Sequence, residues 1–321
     1  MKRLTLIFFY VLLGLGTVAG TFSLLALTSG TAYAHGTADD GDRSGDTRSV
    51  NETRPAKPDA DIRIDNLAGT VHIKAWDKNQ VNVNGHLGED VERLEINGDQ
   101  SDIEIRVVVP HHGNCGDNCD ADLDIYVPAG SRVEVSTVSA DVDAQGLAGQ
   151  VHMGTVSGNI VLTTSATRIE AKSTSGDVSV TGSAKGARIS ANSISGTVRV
   201  MHVDGNLDAE SVSGDVKVSN SSLVNVTTSS TSGNLTYDSP LQKGGQYEFN
   251  NVSGDLTLVL GGSPDARFDI SSFSGDIDNS FGPKPTRVSK YSPGVELHFT
   301  NGNGAAQVSA RTLSGDVHLQ N

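Results

Sequence analysis

Hydrophobic and polar residues alternate along most of the chain with a period of two, in short stretches that recur at a nearly fixed spacing. One pattern, apolar-x-apolar-x-(Ser/Thr/Asn)-x-Ser-(Gly/Ala)-x-apolar, occurs nine times. Its copies begin at Val133, Val151, Ile169, Ile189, Leu207, Val226, Tyr247, Phe268 and Val308, with spacings of 18, 18, 20, 18, 19, 21, 21 and 40 residues. Alternation with period two is typical of half-buried strands, and self-similarity at such a spacing indicates a repeat architecture.

Each copy contains one strand before its Ser-Gly pair and one after it, so two strands and two bends fill each period. The first inward position after each corner is apolar in all nine copies: Val142, Ile160, Val178, Val198, Val216, Leu235, Leu256, Ile277 and Val317. We therefore predict an all-β fold, a parallel β-solenoid with about 18–21 residues per coil. An antiparallel meander or sandwich is the alternative, because strands of this length also pair as hairpins.

The corner between the two strands of a coil is predicted at the Ser-Gly pair and the residue that follows it. The clearest corners are Ser175-Gly176-Asp177, Ser213-Gly214-Asp215, Ser253-Gly254-Asp255, Ser274-Gly275-Asp276 and Ser314-Gly315-Asp316. Glycine there suits a bend that needs a positive φ. Two residues before each corner serine stands a short polar side chain, which is suited to bonding backbone groups in a tight bend.

The chain outside the nine copies is predicted to contain a cap, a leader and a connecting segment. Residues 59–130 are less regular but still alternate, as in Ile103–Val107, and are predicted to cap the repeat domain of residues 131–321. The 40-residue step before the last copy contains three prolines. It is either a protruding loop or hairpin, or one degenerate coil.

The first 58 residues are predicted to serve export rather than the fold. Lys2 and Arg3 precede an apolar run, and Ala32-Tyr33-Ala34 matches a signal-peptidase site, so residues 1–34 are predicted to be a signal peptide. An uncleaved anchor is the alternative. Residues 35–58 are predicted to be a flexible polar leader. No later apolar stretch is long enough to span a bilayer. The protein is thus expected to be periplasmic, on the cell surface or secreted.

Charge and composition exclude some partners. The chain has 38 acidic and 24 basic residues, a net charge of −14, which argues against a nucleic-acid partner. Aromatic residues make up 5% of the chain, too few for the exposed aromatic platform of many sugar-binding surfaces. This argues against a lectin-like site of that kind but leaves sugar binding by hydrogen-bonding polar faces open. No cofactor is predicted, and the oligomeric state stays open.

Carboxylates offer two candidate chemistries, each with a plainer alternative. The position after each corner Gly or Ala is polar: Asp141, Asn159, Asp177, Thr197, Asp215, Asn234, Asp255, Asp276 and Asp316. Such a ladder is a candidate for Ca²⁺, or it accepts backbone N–H bonds in the turns. The pairs Asp141/Asp143 and Asp276/Asp278 resemble glycosidase carboxyls, or they are solvated side chains on an outer face. We predict turn chemistry and solvated pairs, hence no metal site and no catalytic residue.

The two cysteines, Cys115 and Cys119, lie close together in a short polar segment. In an exported protein this spacing predicts a disulfide that closes a small loop. Metal binding by the two thiolates with His111 and His112, or free thiols, are the alternatives.

The chain resembles a bacterial family labelled "putative adhesin", a domain of unknown function built of repeated β-strands. The resemblance covers residues 59–321 and is carried by Leu123–Pro128, by Gly130–Val135, by the serial Ser-Gly-Asp corners and by Ala310–Val317. It implies the repeat architecture and supplies no catalytic residues. We predict a non-enzymatic, adhesin-like binding or scaffolding module whose partner is a cell-surface or envelope component. The alternatives are a polysaccharide-acting β-helix enzyme and a purely structural envelope-stress protein.

Overall fold

The computed structural model describes residues 48–110, 118–289 and 293–321, which form 25 β-strands. None of these residues lies in a helix, so the described part of the chain contains no helical segment that could cross a membrane. The predicted signal peptide, residues 1–34, lies outside the described residues.

The strands are numbered in chain order. The first seven are β1 (Arg48–Pro55), β2 (Asp61–Trp76), β3 (Gln80–Leu87), β4 (Arg93–Gly98), β5 (Asp102–Val108), β6 (Asp120–Pro128) and β7 (Arg132–Leu147). The next nine are β8 (Val151–Thr155), β9 (Ile160–Thr164), β10 (Arg168–Ser173), β11 (Val178–Gly182), β12 (Ala187–Ser193), β13 (Val198–Met201), β14 (Asp204–Ser211), β15 (Val216–Ser219) and β16 (Ser222–Ser232). The last nine are β17 (Leu235–Asp238), β18 (Gln246–Ser253), β19 (Leu256–Val259), β20 (Ala266–Ser274), β21 (Ile277–Asn279), β22 (Thr286–Arg287), β23 (Val295–Asn301), β24 (Ala306–Ser314) and β25 (Val317–Gln320).

Each coil contributes one strand to each of two parallel ladders. The strands before the corners pair in the order β2, β7, β8, β10, β12, β14, β16, β18, β24, β20. The strands after the corners pair in the order β2, β7, β9, β11, β13, β15, β17, β19, β25, β21. β2 and β7 run through their corners and belong to both ladders. The predicted parallel solenoid is confirmed, and the antiparallel alternative is wrong for the repeat.

The register also follows the predicted copies. Their first residues face one another across the ladder, as Val133 faces Val151 and Tyr247 faces Val308. Because side chains alternate between the two faces of a strand, this register places every copy's apolar positions on the same inner face.

The stacking order departs from the sequence order at both ends of the repeat. β2 lies between the coil formed by β5 and β6 and the coil formed by β7. In the same way, β24 and β25 lie between the β18–β19 coil and the β20–β21 coil. The C-terminal coil is therefore covered on both sides by other coils.

Antiparallel strands flank the parallel stack. β4 pairs with β5, β3 with β6 and β1 with β3 on one side, and β23 pairs with β20 and β22 with β23 on the other. The 40-residue step before the last copy therefore holds a hairpin, the first of its two predicted alternatives.

The predicted flexible leader, residues 35–58, is corrected in its second half. Strand β1, Arg48–Pro55, pairs antiparallel with β3 along its whole length although most of its side chains are exposed. The Arg48 guanidinium donates to the carbonyl oxygens of Val91 and Glu92 at 2.8 and 3.0 Å. Backbone pairing at a sheet edge thus orders a segment that has little apolar surface to bury.

The core lies between the two ladders. The inward position after each corner is buried in all nine copies, as predicted. Tyr237 and Phe249 fill the space near β17 and β18, with ring centroids 5.3 Å apart. Burial of each aliphatic side chain contributes about 1.5–3 kcal/mol, so these columns are a major source of stability.

Glycine at most corners is required by the closeness of the next coil rather than by its backbone angle. A positive φ occurs at Gly254, Gly275 and Gly315 but not at Gly158, Gly176, Gly196, Gly214 and Gly233, where that prediction is wrong. A Cβ on Gly176 would lie 1.9 Å from the carbonyl oxygen of Gly158, and the other four sites show the same clash at 1.9–2.3 Å. The coils approach too closely there for any side chain.

Candidate functional site

Nine buried polar side chains lie at the corners, and seven of them bond to a carbonyl oxygen of the adjacent coil. The nine are the short polar residues predicted for these bends, Thr137, Thr155, Ser173, Ser193, Ser211, Ser230, Asn251, Thr312 and Ser272 in stacking order. Of the other two, Thr137 bonds within its own corner, and Thr312 Oγ1 has no hydrogen-bond partner among the described residues. Ser193 Oγ donates to the carbonyl oxygen of Gly176 at 2.9 Å and accepts from the amide of Gly196 at 2.9 Å. The bonds thus run from one coil to the next and satisfy backbone groups that would otherwise be buried without partners. This ladder stabilises the fold and is not exposed to a ligand.

A Ser193→Ala variant is expected to lose about 1–3 kcal/mol of unfolding free energy, because two buried backbone groups lose their partner. Urea denaturation followed by circular dichroism measures this loss. Ser179→Ala, at an outward position of β11, is the control and should change stability by less than about 0.5 kcal/mol. Ser193→Thr should recover most of the stability, since Thr155 fills the same position in another coil. Equal stability of the two alanine variants would contradict the ladder's role.

The carboxylates after the corners also hold coils together. Asp141 Oδ1 accepts from the amide of Asn159 at 2.7 Å, and Asn159 Oδ1 accepts from the amide of Asp177 at 2.9 Å. The Arg199 guanidinium, which donates to Asp177 at 2.8 Å, lowers the pKa of that carboxyl. Within the described ranges, no three His, Cys, Asp or Glu side chains are placed to hold a metal ion. The contacts of Asp141 and Asn159 are hydrogen bonds to backbone amides in the turns, which was the alternative to Ca²⁺ binding.

The paired carboxylates have local partners. Asp143 accepts from the Gln145 amide at 3.2 Å, and Asp278 lies 3.1 Å from His318 Nδ1. Asp276, like Asp141, is solvent-exposed. Two concavities, of about 290 and 190 Å³, are lined by other residues. The pairs therefore lack the enclosed apolar setting that raises the pKa of a general acid.

The predicted disulfide stays a prediction. Cys115 lies outside the described residues, as do His111 and His112, whereas Cys119 is buried just before β6.

Exposed hydrophobic side chains gather at one line of the surface, the position between the buried polar residue and the corner serine. We call this line the corner ridge; its most exposed members are Val138, Val156, Ile194, Val252, Leu313 and Phe273. It contains six of the nine large hydrophobic side chains that are exposed in the described residues. The outward positions of the strands are mostly polar, with Val161 of β9 as an exposed hydrophobic exception.

A column of nine N–H-bearing side chains runs across the outer face of the first ladder, one residue before the first apolar position of each copy. We call it the amide–guanidinium column; in stacking order it is Arg132, Gln150, Arg168, Arg188, Asn206, Asn225, Gln246, Gln307 and Arg267. The register places them side by side, as Arg168 faces Arg188 and Gln246 faces Gln307. No member is a carboxylate, although 38 of the 321 residues are acidic.

Most of this column has no partner within the protein. Asn225 donates to the Asn206 amide oxygen, and the other seven side chains make no hydrogen bond or ion pair with any described residue. Eight of the nine are exposed. Their donors are therefore open to a ligand along the whole ladder.

A shallow groove of about 190 Å³ lies over the sixth to eighth members of the column. Asn225, Gln246 and Gln307 line it together with Glu248 and Ser309 from the next outward column. Amide, carboxylate and hydroxyl groups converge there on one strip of surface. Such a set both donates and accepts hydrogen bonds, as binding of hydroxyl-bearing ligands requires.

The column contains no enzymatic or metal-binding motif, and it lies just before each copy rather than after the corners, so the sequence alone does not single it out. Its signal is nonetheless present in the sequence, since aligning the nine copies shows only Arg, Gln or Asn before the first apolar residue. The signal becomes meaningful only when those positions are known to be neighbours.

Comparison with known proteins gives one family and several structures. A family model described as Toastrack DUF4097 matches residues 56–320. A crystal structure of a "putative adhesin" from Bacteroides fragilis is 11% identical, covers 84% of this chain and 97% of its own, and has a TM-score of 0.42. One from Parabacteroides distasonis is 10% identical, with coverages of 86% and 98% and a TM-score of 0.43. A "putative cell adhesion protein" from Clostridium sporogenes is 9% identical, with coverages of 85% and 99% and a TM-score of 0.30. No curated protein matches the chain.

Proposed function

Since the chain belongs to the Toastrack DUF4097 family, we propose that it is an exported, non-enzymatic β-repeat protein that acts as an adhesin-like binding module at the bacterial cell envelope. The observation that carries this proposal is the amide–guanidinium column, in which seven of the nine side chains have no partner among the described residues. The family is a domain of unknown function, so this surface is the basis of the proposed function.

The column is suited to an extended polymer with hydroxyl groups. Its donors recur once per coil, about 4.8 Å apart, and a ligand that repeats along its length meets the same chemistry at each step. In the groove, Glu248 and Ser309 add acceptors beside Gln246 and Gln307. Each hydrogen bond is weak, and affinity comes from many of them along one chain. We infer a linear polysaccharide of the envelope as the ligand.

Export is the second part of the proposal. It is supported by the positively charged start at Lys2 and Arg3, the apolar run that follows and the Ala32-Tyr33-Ala34 site. A polysaccharide of the envelope is accessible only to a protein that has crossed the inner membrane. Export of the protein is therefore consistent with an envelope polysaccharide as its ligand.

Combined replacement of the groove amides, Asn225→Ala, Gln246→Ala and Gln307→Ala, is expected to weaken retention on isolated cell walls or neutral polysaccharides about tenfold, since three hydrogen bonds of about 0.5–1.5 kcal/mol are at stake. The measurement is an affinity co-sedimentation assay with the purified chain. Gln145→Ala with Gln320→Ala, on the other ladder, is the control and should bind as the unmodified chain does.

Three results would contradict the proposal in different ways. Unchanged retention of the amide variant would place binding elsewhere. Release of soluble sugar, lost in Asp141→Asn or Asp276→Asn, would instead support the polysaccharide-acting enzyme. Retention by none of the materials would favour the purely structural alternative.

A further inference from the structure

The outer face of the first ladder is divided by charge. Its first half consists of the outward positions of β8, β10, β12 and the part of β7 before its corner, together with the column residue of each coil. These positions hold four cations and two anions. The corresponding positions of β14, β16, β18, β24 and β20 hold two cations and four anions. One half of the face is thus basic in a protein whose overall charge is −14.

Three arginines form the centre of the basic half. Arg168 and Arg188 face each other on adjacent parallel strands, about 4.8 Å apart at the backbone. Arg132 lies two coils away, at about 10 Å, with Gln150 between. All four side chains are exposed. Like charges in direct register destabilise a sheet, so this arrangement needs an explanation beyond folding.

The neighbouring acids do not neutralise these arginines. Glu170 is bonded instead to Lys172 and lies 3.1 Å from His152 Nδ1. Glu134, the other acid on this half, makes no ion pair with a described residue. Arg132, Arg168 and Arg188 therefore stand together without a carboxylate within ion-pair distance in the described structure.

We propose that Arg132, Gln150, Arg168 and Arg188, the basic stripe, bind a linear polymer that carries a carboxylate or phosphate on its repeating unit. The proposal rests on the proposed function and gives its ligand a chemical class. A guanidinium offers two parallel N–H donors that match a carboxylate or phosphate, and Arg holds such groups better than Lys does. The groove amides then contact the hydroxyl groups of the same chain further along the column.

The test compares three polymers on the full chain: polygalacturonate for carboxylate, poly(glycerol phosphate) for phosphate and dextran as the neutral polymer. The stripe variant combines Arg132→Gln, Arg168→Gln and Arg188→Gln, and Gln150 shows that the column accepts glutamine. The control combines Lys284→Gln, Arg287→Gln and Arg311→Gln, which removes the same charge from three cations outside the amide–guanidinium column that also lack an ion pair in the described structure. Thermal melting verifies that both variants fold.

We expect the unmodified chain to bind one or both polyanions more tightly than dextran, with an affinity that falls as salt rises. The stripe variant should bind them at least about tenfold more weakly, and the control should differ by less than about twofold. The polyanion that binds more tightly identifies carboxylate or phosphate as the preferred group.

The failures of the two proposals are distinguishable. The basic stripe has no binding role if neutral polysaccharides are retained through the groove amides while neither polyanion binds. The same conclusion follows if the stripe variant and the control lose affinity equally. In both cases the proposed function stands. If no polymer or cell wall is retained, the proposed function itself fails.

Discussion

A Gly176→Ala variant is expected to lose about 3 kcal/mol or more of unfolding free energy, a large effect for one methyl group. The new Cβ would lie 1.9 Å from the carbonyl oxygen and 2.5 Å from the carbonyl carbon of Gly158. Both atoms are backbone, so the clash is relieved only by separating two coils. Separation also breaks the hydrogen bonds between these two coils, such as those from Ser173 Oγ to the Gly158 carbonyl oxygen at 3.0 Å and from the Asp177 amide to Asn159 Oδ1 at 2.9 Å.

Gly154→Ala is the matched control. Gly154 lies inside β8, its φ is not positive, and the nearest atom to an added Cβ, the Val135 carbonyl oxygen, is 3.9 Å away. Alanine there should be neutral or stabilise by about 0.4–1 kcal/mol, because it restricts the unfolded chain. Denaturant midpoints with equal m-values decide the comparison. If both variants lost equal stability, the close approach of coils would not be the reason for the corner glycine.

The contrast between these glycines shows where sequence reasoning stops. The pattern of apolar residues was enough to predict the coil length and the inward column, because the first follows from the spacing between copies and the second from the period-two rule within a copy. The reason for Gly176 lies in an atom of Gly158, one coil away, and only packing reveals it. The same holds for the basic stripe, since Arg168 and Arg188 are 20 positions apart and become neighbours only through the ladder.

The stacking order at the end of the repeat is a further case. The copies that begin at Tyr247, Phe268 and Val308 carry nearly equivalent patterns, so any of them fits beside any other. In the structure, the hairpin strand β23 pairs antiparallel with one edge of β20, and β24 pairs with the other edge. The repeat pattern predicts the structure of a single coil but not which coils become its neighbours.

Removal of the C-terminal coil, by ending the chain at Gly304, is expected to abolish the folded state of the last coils. The deletion removes the buried side chains of Val308, Val317 and Leu319, worth about 1.5–3 kcal/mol each, and leaves the facing edges of β18 and β20 without partners. This loss is comparable to the total stability of a typical domain, about 5–15 kcal/mol. Hydrogen exchange should show lost amide protection in β18 to β21, and thermal melting should begin at a much lower temperature.

Deletion of β1, with the chain starting at Ala56, is the control that separates an inserted coil from an edge strand. β1 pairs on one side only and is mostly exposed, so its loss should leave the protection of β18 to β21 unchanged. Leu319→Ala gives a measurable variant should the C-terminal deletion fail to express, with an expected cost of about 2–5 kcal/mol. Two results would show that the β20–β21 coil does not depend on the adjacent β24–β25 coil. One is full amide protection of β20 in the truncated chain. The other is a loss of less than about 1 kcal/mol of unfolding free energy for Leu319→Ala.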